Sequence, residues 1–301
     1  MSGIHKSYEK PVLTIDEQIE TLLARGLLIP DPKRVRHYLR YIGYYRLSGY
    51  FPPFLAHDHY HFKDTVKFDS ILDLYVFDRK LRLLVMDAVE RIEVAIRSII
   101  SDFMCQRYGA HWYLKRHLFK TDFKHNVFIR KVEYETGYRN FNKRDYYCRR
   151  YFETYDMPYL PPSWVIAESL SIGTWSHLFS NFRSRKDRKN IGDQLGLHFK
   201  VLISWLHSLT YLRNLCAHHS RLWNRTFTVK PMVAKEFKDQ FKNNASFCAQ
   251  ASVLNLLLFV IADGTSWQNR LFDLFKDNQD IPILKMGFSA KWYKDPFWRI
   301  I

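Results

Sequence analysis

Acidic side chains are in short supply in this 301-residue chain: 30 Asp and Glu stand against 46 Lys and Arg, a formal net charge of +16. That imbalance argues against capture of basic ligands and favours polyanions, whose phosphates Lys and Arg follow. Gly and Pro number 11 each, which excludes a collagen-like repeat or a low-complexity linker. The four cysteines, Cys105, Cys148, Cys216 and Cys248, form no C-x-x-C pair. A thiolate metal knuckle or a redox dithiol is therefore not expected, and free thiols in a reducing cytoplasm are. Long apolar runs are missing too. The most apolar segment, residues 253–262, is ten residues long and contains Asn255, too short to span a bilayer. The polar opening MSGIHKSYEKP lacks the apolar core of a signal peptide. A cytoplasmic protein with no membrane partner is the expectation.

What the chain does have is 47% apolar and 17% aromatic residues, enough to build a substantial core. Aromatic rings beside cations also suit RNA, because rings stack on unpaired bases while cations track the backbone. The segment RNFNKRDYYCRRYF at 139–152 concentrates both, with five Arg or Lys and five Tyr or Phe. Arg149 and Arg150 are its candidate RNA contacts. The other reading is a solvated helical hairpin whose rings pack inward.

Periodicity and caps predict an all-α fold without repeats. Thr14 with Glu17 is a capping box opening a helix that ends near Gly26. Asp31-Pro32 opens the next, with Asp as cap and Pro in the first turn. The stretch HDHYH at 57–61 reads as a polar hairpin or loop in preference to a metal site. A helix capped by Asp69 runs without Gly or Pro to about Tyr108. A further helix covers 164–182 with a bend expected at Gly173, and RSRKDRK at 183–189 reads as a solvent-facing charge run. The organisation expected is an N-terminal helical subdomain (1–66), a helical core (67–262), and a C-terminal helix with an aromatic tail packed on that core (263–301).

Residues 202–225, LISWLHSLTYLRNLCAHHSRLWNR, carry the chemistry. Helical spacing predicts one amphipathic helix of about six turns. One row is Leu202, Leu206, Leu209, Arg213 and Cys216, an apolar seam interrupted by an arginine. The other is His207, Tyr211, Asn214, His218, Arg221 and Arg225, with no aliphatic residue. A guanidinium in a leucine row requires an anion or a partner. Imidazole is the side chain best suited to proton transfer near neutral pH. Arg213, Asn214 and His218 together contain what metal-free RNA cleavage needs: a proton-transfer group, a group to orient it, and a cation to stabilise the phosphorane.

The R-N-x3-H arrangement of Arg213, Asn214 and His218 resembles the nuclease motif of the HEPN superfamily. The longer string RNLCAHHSRLWNR is similar to the Abi-like family of bacterial phage-defence proteins, a HEPN branch. So are PVLTIDEQIETLLARGL (11–27), YIGYYRLSGYFPPF (41–54), FDRKLRLLVMDAVERIEVAIRS (77–98), PPSWVIAESLSIGTWSHLFSN (161–181) and MGFSAKWYKDPFW (286–298). The resemblance implies a HEPN-like helical bundle and a metal-independent endoribonuclease of abortive infection, with no cofactor and no metal. Arg213, Asn214 and His218 would be catalytic. His219, Arg221, Arg225, Tyr211 and His207 would be RNA contacts. Glu93 would be a candidate acidic helper, with a structural Glu93–Arg97 pair as the alternative. Residues five apart on a straight helix diverge by about 140°, so Arg213 and His218 of one chain do not face one way. HEPN nucleases build composite sites, and a homodimer is the natural consequence. RNA is the expected partner, as substrate and as a small regulatory strand. The rival reading is a non-catalytic RNA-binding module of a defence or toxin–antitoxin system holding a structured RNA.

Overall fold

The computed structural model describes residues 11–262 and 264–299; the signal-peptide reading of the opening residues falls outside them, except at Pro11. Among the described residues the fold is all-α, with isolated bridges Leu28–Lys67, Leu55–Phe62 and Phe119–Phe182 but no strand. The helices are α1 Ile15–Ala24, α2 Pro32–Tyr41, α3 Tyr44–Ser48, α4 Phe68–Tyr108, α5 His125–Glu135 and α6 Tyr146–Thr154. They continue as α7 Ser163–Ser169, α8 Ile172–Asn181, α9 Arg185–Asp193, α10 Phe199–Ala217, α11 Phe247–Ile261 and α12 Trp267–Lys276. The chain divides into two compact units, one ending at Lys80 and the other beginning at Leu81. No described helix is long and apolar enough to cross a membrane.

In the first unit local sequence sets the helix starts. Thr14 and Glu17 form the complete capping box of α1, and the Asp31 carboxylate accepts from the backbone N–H groups of Lys33 and Arg34 to open α2. The buried Arg25 guanidinium lies over the rings of Phe51, Tyr60 and Phe62, 4.8–5.5 Å from their centroids, and donates to the Tyr44 hydroxyl at 3.0 Å. Tyr44 is therefore spent on packing, while Tyr45 stands exposed. HDHYH is a hairpin closed by the Leu55–Phe62 bridge, with His61 Nδ1 2.6 Å from Asp58. The long helix starts at Phe68, one residue ahead of the expected cap, so Asp69 lies inside its first turn instead of capping it and takes the Arg34 guanidinium at 2.9 Å.

In the second unit α11 is buried almost all round, which is the pattern of a central core helix. Ser208 on α10 donates to Gln250 on α11 at 2.7 Å, and Gln250 donates to the Val229 carbonyl at 3.2 Å, so this buried polar pair is satisfied. Phe288, Trp292 and Trp298 of the tail are buried in an aromatic cluster that also takes in Phe275. The expected bend at Gly173 is a full break three residues earlier. Leu170 is extended (φ −102°, ψ 133°) and separates α7 from α8. The 183–189 run is not wholly solvent-facing. Ser184 caps α9, and Asp187 is buried, accepting from the Tyr108 hydroxyl at 2.6 Å and pairing with Arg107 at 3.1 Å.

Candidate functional site

Helix α10 does not run to Arg225. It stops at Ala217, with His218 as its C-cap. His219 takes a left-handed conformation (φ +55°), its N–H bonding to the Cys216 carbonyl at 2.9 Å, while the Ser220 N–H bonds to Leu215 at 2.8 Å. These two bonds are the Schellman pattern that terminates helices, with histidine where glycine is usual. The chain then folds back to bury Leu222 and Trp223, which a continued helix would carry away. The two rows separate over the helical part: Leu202, Leu206, Leu209 and Cys216 are buried, His207, Asn214 and His218 are exposed, and Arg213 and Tyr211 are intermediate.

Arg213 and Asn214 line a cleft of about 650 Å³ between α5, α8 and α10. Lys124 and Lys131 of α5 and its cap, His177 and Asn181 of α8, and the first turn of α8 form the rest of its polar wall, with Asp122 as the one carboxylate. Arg213 makes one hydrogen bond among the described residues, a long one of 3.5 Å from Nη1 to Asn214 Oδ1. Its charge is left to the cleft. His218 is not among the lining residues. Asn214 reaches it only through the backbone, its carbonyl accepting the His218 N–H at 3.0 Å.

Two features fix the cleft wall. The Glu93 carboxylate on α4 accepts the Ile172 N–H at 2.8 Å, capping α8. Arg97 is not its partner; Arg97 pairs with Glu168 at 2.9 Å and donates to the Ala167 carbonyl. Gly173 lets α8 lie directly on α10: a Cβ there would sit 3.1 Å from Thr210 Cγ2, one turn before Arg213 and Asn214.

The remaining candidates are dispersed. Burial pushes the Tyr211 hydroxyl upward, but hydrogen bonds from Thr228 (3.1 Å) and Arg225, and the Arg225 charge, hold it below the ordinary phenol range. Arg225 Nη1 also donates to the Arg221 carbonyl at 3.1 Å. Arg149 and Arg150 are exposed on α6; the Arg149 guanidinium lies 5.0 Å from the Phe141 ring centroid, and Arg150 lines a different pocket. Sequence reasoning did not find Lys124, Lys131 and His177. Only tertiary packing of α5 and α8 brings them to Arg213. Among the described residues there is no group of three or more His, Cys, Asp or Glu placed to hold a metal ion.

The arrangement can hold a phosphate against several cations while Arg213 contacts it directly. The profile of the Abi-like protein family matches residues 37–224, more than half of the chain, and spans α10 and every wall of the cleft. No curated protein and no solved structure matches. The chain belongs to the Abi-like protein family.

Proposed function

We propose that this protein is a metal-independent, HEPN-type endoribonuclease whose site is completed by two copies of the chain. Membership of the Abi-like family implies abortive-infection phage defence. The observation that carries the finer reading is Arg213, with no closer partner than Asn214, opening into a cleft furnished with Lys124, Lys131 and His177. His218 stands exposed at the end of the same helix, five residues on, where a second copy can meet it.

In the proposed reaction the 2′-oxygen attacks phosphorus, a base takes its proton, and the P–O5′ bond breaks as the leaving oxygen is protonated. The products are a 2′,3′-cyclic phosphate and a 5′-hydroxyl. His218 is the proton-transfer group, Arg213 stabilises the phosphorane charge, and Asn214 orients the reacting groups. His207, Tyr211, His219, Arg221 and Arg225 extend the cationic and hydrogen-bonding track.

The test is cleavage of single-stranded RNA in EDTA. His218→Ala lowers the rate by about 10²–10⁴-fold with RNA affinity retained. Mixed Arg213→Ala and His218→Ala chains recover part of the activity, because one of the two composite sites in a mixed dimer is intact. Equal rates for wild type and His218→Ala remove His218 from the chemistry, and strict metal dependence removes the mechanism. The absence of His218 from the Arg213 cleft favours one rival, a non-catalytic module holding a structured RNA. RNA binding with no cleavage by the wild-type protein establishes that reading instead.

A further inference from the structure

A second pocket, of about 520 Å³, lies between α6, α7 and the segment that joins them. This is within the range of small-ligand sites, roughly 300–1,000 Å³. Its polar and aromatic lining comes from His111, Tyr147, Arg150, Tyr151, Tyr155 and Trp164, with Met157 at the rim. Tyr147, Tyr155 and Trp164 are all more than half exposed, an unusual condition for three large rings at one pocket. Tyr151 is fixed by donating its hydroxyl to the Pro158 carbonyl at 2.6 Å and lies 5.2 Å from the Tyr155 ring. No carboxylate lines the pocket; Glu153 and Asp156 are close in the chain but are not part of the wall. The neighbouring Arg149 lies over Phe141, outside the wall, so Arg150 is the cation that lines the pocket.

We infer that this pocket binds an unstacked base of single-stranded RNA, with Trp164, Tyr147 and Tyr155 as stacking surfaces and Arg150 on the adjoining phosphate. The inference rests on the RNA reading above and adds a second contact point, separate from the Arg213 cleft. Aromatic faces tolerate any base, and flanking arginines hold the backbone; their combination is the usual design of single-strand binding sites. A purely apolar ligand would use the rings but not Arg150. An acidic peptide would use Arg150 but leave three rings idle.

Trp164 offers a direct readout. It is 56% exposed, whereas the chain's other seven tryptophans are buried, so iodide-accessible emission reports on Trp164 alone. The experiment uses the full chain carrying His218→Ala, so that the strand survives. A ten-nucleotide single-stranded RNA should quench that emission and protect it from iodide, while an abasic strand of equal length and charge should not. Trp164→Ala and, separately, Arg150→Glu should each weaken RNA affinity by about ten-fold, the order expected from losing one stacked base. Normal RNA affinity with silent Trp164 emission overturns this pocket and leaves the nuclease reading standing. Quenching by the abasic strand, or by an acidic peptide instead of RNA, also overturns it. No RNA affinity in the parent protein sinks both readings together.

Discussion

Glu93 Oε1 accepts the backbone N–H of Ile172 at 2.8 Å, so a carboxylate on α4 closes the first turn of α8. The residue in the N-cap position, Ser171, makes no side-chain bond to the backbone of that turn, its hydroxyl lying 3.3 Å from that of Thr174, which leaves Glu93 to satisfy the Ile172 N–H. Glu93→Ala is expected to lower stability by about 1 kcal/mol, in the range of lost N-caps, and Glu93→Gln by less because an acceptor oxygen remains. Thermal unfolding read alongside RNA cleavage separates the roles. A hundred-fold loss of cleavage in Glu93→Gln at unchanged melting temperature would place the carboxylate in the chemistry, not in the scaffold.

His219 holds a left-handed backbone at φ +55° in the turn that ends α10. The left-handed region costs an ordinary residue roughly 1–2 kcal/mol and glycine little. His219→Ala and His219→Gly both remove the imidazole, so their difference isolates the backbone. The glycine variant should be the more stable of the two by about 1 kcal/mol in urea denaturation. Equal stability would mean that the turn relaxes once the imidazole is gone.

His125, the first residue of α5, is buried and its Nε2 lies 2.8 Å from the Tyr113 carbonyl. Burial lowers its pKa below the ordinary 6.5, the bond to Tyr113 opposes that shift, and the Arg116 charge adds to it. His111 is shifted the same way by burial. The unfolded chain therefore takes up these protons before the folded one does. The stability they contribute is complete above about pH 6.5 and is lost as pH falls through the lower folded values. Urea midpoints should decline between pH 7 and 5, and His125→Gln should flatten that decline. An unchanged slope in the variant would assign the acid sensitivity elsewhere.

The parts of this molecule that were legible in its sequence are those decided within a few residues. Thr14 with Glu17 and Asp31 with Pro32 each start a helix where their side chains reach the backbone beside them. The end of α10 was not legible, because Arg221 to Arg225 contains no Gly or Pro and continues the helical pattern. Burial of Leu222 and Trp223 against the rest of the unit outweighs that local preference. The α7–α8 break had a weaker signal, a serine at 171 in the middle of a stretch that otherwise reads as helical. In the candidate site, Arg213 and Asn214 were identifiable from residue type and spacing. Lys124, Lys131 and His177 were not, since they join Arg213 only through packing of helices far apart in sequence.

The approach of Gly173 to Thr210 gives the cleft a gauge made of one missing side chain and one methyl group. Helix α8 rests on α10 with nothing projecting from residue 173, and the Thr210 methyl is the first atom that a side chain there would meet, 3.1 Å from its Cβ. Any bulkier residue at that point acts as a shim. It alters the width presented to a ligand while leaving every charged group in the wall chemically unchanged.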